Sequence, residues 1–472
     1  MQTRLILAVL ALAGCGGGES ALPASDGPAA PVLLVGADGL DWSLALPLLR
    51  SGELPNLAAL VEGGAVASLG TLAPTWSPRL WTTVATGKEP AVHGIEDFVR
   101  YDETRTPVSL YTQEDRRTKA HWNILSDAGV GVDTIGWWMT FPVEPVDGLM
   151  VAQTNSPVAD DGTRSGPEKG VLREGVPHQV WPPEREAEVF ARFREVDAGL
   201  DATLARTYGE VQPYSDEAAE RWEACRWAFR ADNTYLELAL ARAARPEGPA
   251  PVTAVYLGGT DVVGHRFFAA HRPGPFGLAP DHPEVTTFGD VIPDTYRFLD
   301  AALGRLVAAW PPDSTVVLVS DHGMVSLHRE ALHRGLFVER DGRMGISNTG
   351  GHPVEPGTGP RRGVLVVAGP GARPGAGRPS GTAIVDLRLA DVAPVGGLLD
   401  VLPTLLALCG LPAGEDMPGR VLTELVDVVA LPRIPTWDDP VWLASRVRTG
   451  IQPVDAAGRI EQLEDLGYLG DE

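Results

Sequence analysis

Three times in this 472-residue chain an apolar run stops at small residues and then meets an acid. "VLLVGA" is followed by Asp38, "VYLGGT" by Asp261 and "VVLVS" by Asp321. His265 stands four residues after Asp261, His322 directly follows Asp321, and His352 lies in "NTGGHPVEP". Carboxylates and imidazoles together suit a divalent cation such as zinc. A separate stretch, "LAPTWSPRLWTTVATG" (72–87), offers the hydroxyls of Thr75, Ser77, Thr82, Thr83 and Thr86. One of them could be a nucleophile, although Ser and Thr beside Pro are also ordinary turn and cap residues. A single Asp after a strand is most often a helix cap, and a single loop His usually does nothing. It is the recurrence of the pattern that points to a shared site.

The elements that must position these residues can be read from the hydrophobic pattern. "APVLLVGADGLDW" (30–42) is a continuous apolar run bounded by Gly, the mark of a strand covered on both faces. Similar strands are expected at 130–142, where the run enters a Trp-rich loop, and at 251–259, 314–323 and 361–371. Helices are expected at 42–49, 57–62, 81–85, 216–244 and 293–310, and within 391–412. "GKEPAVHGI" and 267–291 read as loops, and 155–213 as an irregular polar insertion with short helical pieces. Strands alternating with helices predict an α/β fold: a three-layer α/β/α sandwich around a mostly parallel sheet, with an inserted cap region. In such sheets the carboxyl ends of the strands carry the site, so the three acids and the histidines would converge on one edge. A helical turn starting at Asp261 would bring His265 onto the same face.

The chain carries a formal charge of −23. That argues against a general nucleic-acid binder, which needs basic surface to neutralise phosphates. It leaves a small phosphate ester open as substrate, because a bound cation inverts the local field. Lys occurs only at 88, 119 and 169. The N-terminus has one positive charge at Arg4, an apolar run Leu5–Leu12 and then Leu12-Ala13-Gly14-Cys15. The run has the shape of a signal peptide, and the small residues before Cys15 resemble a bacterial lipobox. This predicts a signal peptide over 1–14, a lipidated Cys15, a flexible tether over 15–29, a catalytic domain over 30–424 and a C-terminal extension over 425–472 ending in a short helix, "RIEQLEDLGYL". The mature protein would be anchored to a membrane of the bacterial cell envelope, facing periplasm or exterior. Cys225 and Cys409 do not make a disulfide framework.

Taken in order, "GADGLDW", "SPRLWTTVATGKEPAVHGIEDF", "GWWMTFPVEPVDG", "GGTDVVGH", "VSDHGM", "GGH" before "GVLVVAGPG", and "DVLPTLLALCGLP" resemble the alkaline phosphatase superfamily, and within it the type I phosphodiesterase/nucleotide pyrophosphatase branch. The resemblance implies a two-metal hydrolase. Asp38, Asp321 and His322 would hold the cation next to the nucleophile, and Asp261, His265 and His352 the other. The family nucleophile lies ten residues before the Gly of a "TG" pair, and counting back from Gly87 reaches Ser77. Thr75 is then two residues too early, and Thr82 and Thr83 fall in the following helix. Arg79 becomes a candidate phosphate contact, His93 a structural loop histidine, and Trp137, Trp138 and Thr140 either pocket lining or core. Nucleotide pyrophosphatases of the family carry Asn in the loop after "HGI", where this chain has Phe98.

The implied chemistry is hydrolysis of phosphodiester or pyrophosphate bonds through a phosphoseryl intermediate on Ser77, with two divalent cations, Zn2+ foremost and Mn2+ or others as alternatives. The same fold could instead serve a phosphomonoester, phosphonate or sulfate ester, or transfer a phospho group. A sulfatase would need Cys/Ser-x-Pro-x-Arg, a spacing that "SPRLW" lacks. A non-catalytic binding lipoprotein would be marked by lost ligands, yet all six candidate ligands and a hydroxyl are present.

Overall fold

The computed structural model describes residues 23–446 except 26, 105–106, 154–171, 328–336, 341–342, 347–348 and 353–360. Cys15 and the terminal "RIEQLEDLGYL" lie outside the described residues. The first half contains strands β1 (Val32–Ala37), β2 (Ala65–Leu69), β3 (Val99–Tyr101), β4 (Pro107–Leu110), β5 (Val132–Ile135), β6 (Met150–Val151) and β7 (Val180–Trp181). The second half contains β8 (Val252–Leu257), β9 (Thr315–Val319), β10 (Val325–Ser326), β11 (Phe337–Arg340), β12 (Arg343–Ile346), β13 (Gly350–Gly351) and β14 (Gly363–Ala368). Between them run helices α1 (Trp42–Arg50), α2 (Pro55–Gly63), α3 (Ser77–Thr86), α4 (Pro90–His93), α5 (His121–Asp127) and α6 (Glu186–Tyr208). They are followed by α7 (Asp216–Glu223), α8 (Arg226–Ala243), α9 (Gly259–His271), α10 (Pro283–Phe288) and α11 (Val291–Ala309).

Eight strands form one sheet in the order β2-β14-β9-β1-β8-β5-β6-β7. The run from β9 through β1, β8 and β5 to β6 is parallel. Strand β14 is antiparallel to both β9 and β2, and β7 is antiparallel to β6. Alternate residues of each strand enter different cores. Leu33, Val35 and Ala37 pack with Val316 and Leu318 of β9 and with helices α1, α2, α8, α9 and α11 on one face. Val32 and Leu34 pack with α3, α5 and the helix Val401–Leu408 on the other. A strand buried on both faces carries few polar positions, which is why β1 and β14 read as apolar runs and β8 and β9 depart from one only at Thr253, Tyr256 and Thr315.

The five expected strands and the expected helices at 42–49, 57–62 and 293–310 appear at their places within a few residues. Other segments differ. The expected helix 216–244 breaks at Ala224–Cys225 into α7 and α8. The polar segment 155–213 contains the 23-residue α6, whose Val189, Phe190, Leu200 and Leu204 join the first core. Its apolar positions are widely spaced among charges, so the pattern resembles an irregular segment. The loop at 267–291 contains the end of α9 and all of α10. "GKEPAVHGI" contains the single-turn α4. Strand β2, "AVASL", is not marked by the hydrophobic pattern because it is short and rich in Ala.

Helix α3 matters most for the site. Pro78 in its first turn fits the fixed φ of a helix start. Gly87 ends it in the left-handed region at φ +63°, donating its N–H to Thr83 O at 2.8 Å. Directly afterwards Lys88, 1% exposed, pairs through Nζ with Asp416 at 2.6 Å and Asp438 at 2.5 Å. Under the sheet, Arg242 of α8 grips Asp133 of β5 with two bonds, Nε to Oδ2 at 2.8 Å and Nη2 to Oδ1 at 3.0 Å. A small third cluster beside α3 joins Phe98, Val99 and Leu110 with the half-buried Trp76 and Trp138. Next to it, burial pushes the Asp97 carboxyl up to about 6, against the pull of the Phe98 and Val99 amides, Tyr101 and Arg79.

Two consequences can be measured. Arg242→Leu leaves Asp133 buried with Arg245 as its remaining cation, 3.8 Å away. Unfolding free energy from urea titration should fall by about 3 kcal/mol, the lower end for a broken buried pair. A loss within ~1 kcal/mol would mean that the pair behaves as a solvated one. Asp97 holds its proton more tightly folded than unfolded, so its contribution to stability falls as pH rises from about 4 to about 6 and is constant beyond. Asp97→Asn keeps an oxygen for the Phe98 amide and should be more stable than wild type above about pH 6, by at most roughly 3 kcal/mol. Parallel stability curves for the two proteins from pH 4 to 7 would contradict this.

Candidate active site

The sheet brings the three acids together because β8, β1 and β9 are neighbours and parallel. Asp38 follows β1, Asp321 follows β9, and Asp261 sits in the first turn of the helix that follows β8. Two clusters result, Asp38–Asp321–His322 and Asp261–His265–His352, each with its potential ligand atoms within 4.8 Å of one another. All six residues are buried. His322 Nε2 lies 3.4 Å from Asp38 Oδ1 and 3.4 Å from Asp321 Oδ2. His265 Nε2 lies 3.3 Å from Asp261 Oδ1, as the i, i+4 spacing on α9 requires. The clusters adjoin: Asp261 Oδ1 is 3.9 Å from His322 Nε2 and 3.8 Å from His352 Nε2.

The far side of each imidazole decides which nitrogen faces the cluster. His265 Nδ1 meets Gly350 O at 3.0 Å, and His322 Nδ1 meets Gly323 O at 3.2 Å. A carbonyl can only accept, so each Nδ1 carries a proton and Nε2 is the nitrogen turned toward the cluster. For His352 the argument takes one more step. Thr75 Oγ1 donates its one proton to His352 O at 2.6 Å, so at 2.6 Å it accepts from His352 Nδ1. His265 Nε2 and His352 Nε2 then face each other at 3.2 Å. Asp38 Oδ1, Asp321 Oδ2 and His322 Nε2 are buried without a hydrogen-bond partner among the described residues. This donor set, carboxylate oxygens and imidazole nitrogens gathered in a buried space, fits divalent cations.

The electrostatics agree. Burial, then the charge of Asp261, raises Asp38, although His322, Tyr256 and Asp321 pull it down. Burial and then Asp38 raise Asp321 far above the carboxylate range. Burial works against ionisation of Asp261 too, but His265, His322 and His352 outweigh it and hold Asp261 well below that range. Burial, with His322 and His265, keeps His352 neutral. With protons alone the three acids cannot all ionise; a cation between them removes the conflict.

Helix α3 spans the two clusters. Thr75, just before it, bonds His352, and Trp81 Nε1, one turn inside it, donates to Asp38 Oδ2 at 3.0 Å. Ser77 is the first residue of the helix and is 2% exposed. Thr82, Thr83 and Thr86 are within the helix and donate to Pro78, Arg79 and Thr82 carbonyls. Half-buried Arg79 bonds Ala73 O through Nη2 at 3.2 Å. His93 Nδ1 accepts from Ile95 N and its Nε2 meets Thr83 Oγ1; burial pushes it down to about 3, the behaviour of a structural histidine. Trp137 is fully buried and donates to Trp81 O at 3.3 Å, and Thr140 donates to Trp137 O, so both belong to packing. Trp138 is half-buried against Phe98.

Several supporting residues were not singled out in the sequence. Tyr256 OH donates to Asp38 Oδ2, reaching from the α3 face of β8. The alternation of β8 could have revealed it, since position 256 shares its face with Val252 and Ala254. Asp41 Oδ2 accepts from Met324 N at 2.9 Å and Arg361 Nε at 3.1 Å, tying the loop after β1 to the "DHGM" loop. Gly39, at φ +65°, lets these loops close: a Cβ there would stand 3.0 Å from Asp261 Cα. Thr349 inserts into α9, its N–H on His265 O at 2.8 Å and its Oγ1 accepting from Ala269 N at 3.0 Å. It thereby replaces a helix bond and kinks α9 near Phe267. Asp41 reads in sequence as the N-cap of α1, which it is through Ser43 N, while its contacts to Met324 and Arg361, like those of Thr349, reach distant residues that no sequence signal marks.

A family model described as type I phosphodiesterase/nucleotide pyrophosphatase matches residues 32–369. No curated protein matches the chain. Among solved structures, phosphonoacetate hydrolase from Sinorhizobium meliloti 1021, in complex with phosphonoformate, is similar at 19% identity and a TM-score of 0.38. That match covers 63% of this chain and 57% of the hydrolase, so this chain spans little more than half of its length. Murine ectonucleotide pyrophosphatase/phosphodiesterase 5 is similar at 12% identity and a TM-score of 0.42, covering 87% of this chain and 98% of that one. The extent of the family match assigns the chain: it belongs to the type I phosphodiesterase/nucleotide pyrophosphatase family.

Proposed function

We propose that this protein hydrolyses phosphate esters, at phosphodiester or pyrophosphate bonds, through a phosphoseryl intermediate on Ser77 and with two divalent cations, Zn2+ foremost. One observation carries the reading: the segment Thr75–Trp81 touches His352 of one acid–imidazole cluster and Asp38 of the other, and Ser77 lies between those two contacts. Asp38, Asp321 and His322, with Ser77, would hold one cation; Asp261, His265 and His352 would hold the second. Bound there, the cations would neutralise the buried carboxylates, lower the pKa of the Ser77 hydroxyl and stabilise charge on the leaving oxygen.

The chain's own residues then act as follows. Ser77 Oγ attacks phosphorus in line; the Oγ–P bond forms as the bridging P–O bond breaks, the Ser77 proton leaves to solvent, and the departing oxygen takes a proton from solvent to leave as the alcohol, or leaves as a phosphate when the bond is a pyrophosphate. The amides at the start of α3 favour the anionic phosphoryl group held at Ser77. Arg79, two residues on, is a candidate contact for a non-bridging oxygen. Water attacks phosphorus in the second step, freeing Ser77 and phosphate or the phosphomonoester. The Thr75 hydroxyl is committed to His352, which supports Ser77 over Thr75 as nucleophile.

We also propose that Cys15 is lipidated and tethers the catalytic domain to a membrane of the bacterial cell envelope. The support is the sequence pattern Leu12-Ala13-Gly14-Cys15 after a short apolar run. No described helix is long and apolar enough to cross a membrane.

Two tests follow. Ser77→Ala should lower kcat/KM on bis-p-nitrophenyl phosphate by about 10³-fold or more, and acid-quenched wild type should yield phosphoserine at position 77. Thr75→Val should instead weaken cation binding about 10–100-fold and recover activity in excess Zn2+. Full activity of Ser77→Ala would remove the mechanism. For the anchor, Cys15→Ser in a bacterial host should shift the protein from the membrane pellet to the soluble fraction; an unchanged distribution would rule the anchor out.

A further inference from the structure

We infer that Asp232, on α8, is a positioning residue for the Asp261–His265–His352 cluster, acting as a clamp on the first turn of α9. The inference rests on the two-cation reading above. A helix start leaves backbone N–H groups without an intrahelical partner. The N-cap of α9 is Gly258, which has no side chain to cap them. Asp232 reaches across from a different helix and supplies the acceptors: Oδ1 takes Gly258 N at 2.7 Å and Oδ2 takes Gly259 N at 2.9 Å. The carboxylate is 4% exposed. Gly259 makes the approach possible, since a Cβ at that position would stand 2.7 Å from Asp232 Oδ2.

The turn so held is the one that carries the ligands. Asp261 is three residues after Gly258 and His265 four further on. Between them and the clamp, Thr260 donates its hydroxyl to Asp38 O. The first turn of α9 is therefore fixed from two sides: by Asp232 from the α8 layer and by the Asp38 loop from the neighbouring strand. Rotation of that turn would displace Asp261 Oδ1 from the three imidazoles that surround it at 3.3, 3.8 and 3.9 Å. A generic stabiliser of the fold would affect both clusters alike. A clamp on this turn acts on one cluster first, because Asp261 and His265 both sit on α9, whereas Asp321 and His322 are carried by the separate loop after β9 and Asp38 meets the turn through its main-chain oxygen alone.

Asp232→Asn is the discriminating change. It keeps the size and one acceptor oxygen but turns an NH2 group toward the second amide. Full-length protein is stripped with a chelator and titrated with Co2+, with binding followed by visible absorption and competition against a chromophoric chelator. Wild type should bind in two steps, and His265→Ala identifies the step that belongs to the Asp261 cluster. In Asp232→Asn that step should weaken about 10–100-fold while the other step and the melting temperature hold. Unchanged affinities, or equal weakening of both steps with a lowered melting temperature, would overturn the inference. Gly259→Ala, which crowds the same contact, should give the same selective weakening and replaces Asp232→Asn if that variant fails to fold. Wild type showing a single step would defeat the two-ion count alone. The inference would then stand if that step is lost in His265→Ala and weakened in Asp232→Asn, and fall otherwise.

Discussion

Three carboxylates, Asp38, Asp261 and Asp321, are held out of water in one dry space, and most of the surrounding architecture answers to that fact. Buried anions that close cannot all stay ionised with only protons and neutral imidazoles for company. The fold does not relieve the conflict by separating them. It adds donors instead, Trp81 and Tyr256 on Asp38 and a Gly39 amide on Asp321, and it sets the Nε2 atoms of three imidazoles around Asp261 Oδ1. Asp38 Oδ1, Asp321 Oδ2 and His322 Nε2 still have no hydrogen-bond partner among the described residues, and a divalent cation is the natural complement. Such a site gives up local stability for affinity.

The sheet and its helices hold that arrangement in place. Adjacent parallel strands deliver three acids to one edge, and short backbone links join the loops that carry them. Asp41 joins the first to the third, Thr260 joins the second to the first, and Thr349 joins α9 to the strand pair leading to His352. Each link ends on main chain. A side chain that swings takes one contact with it, whereas a displaced main chain takes a whole loop. The positions of the ligands are therefore defined by the backbone rather than by ligand-to-ligand contacts.

This division explains what could be read from the sequence. Strands buried on both faces show as apolar runs, so β1, β8, β9 and β14 and the acids at the ends of three of them were legible. The i, i+4 relation of Asp261 and His265 was legible because a helix imposes it. The choice of Ser77 over Thr75 came from counting within a family pattern; the hydrogen bond from Thr75 to His352 adds a physical reason. The path of 186–208 was not legible, because four apolar residues spread along 23 positions resemble a polar loop until a neighbouring helix covers them. Asp232, Thr349 and the reach of Asp41 to Met324 and Arg361 were also invisible, since only tertiary structure brings those partners near.

Lys88 gives the C-terminal region a role that its position in the chain does not suggest. It directly follows Gly87, the residue that closes α3, and its ammonium is buried between Asp416 and Asp438. Asp416 belongs to the catalytic domain as bounded from the sequence, and Asp438 to the extension beyond residue 424, so an ion triad straddles that boundary. An unpartnered ammonium in that place would carry a desolvation penalty of several kcal/mol, located at the far end of the helix that begins with Ser77. The extension is therefore tied by charge to the end of α3. A chain shortened before Asp438 would reach the active site through charge rather than through shape.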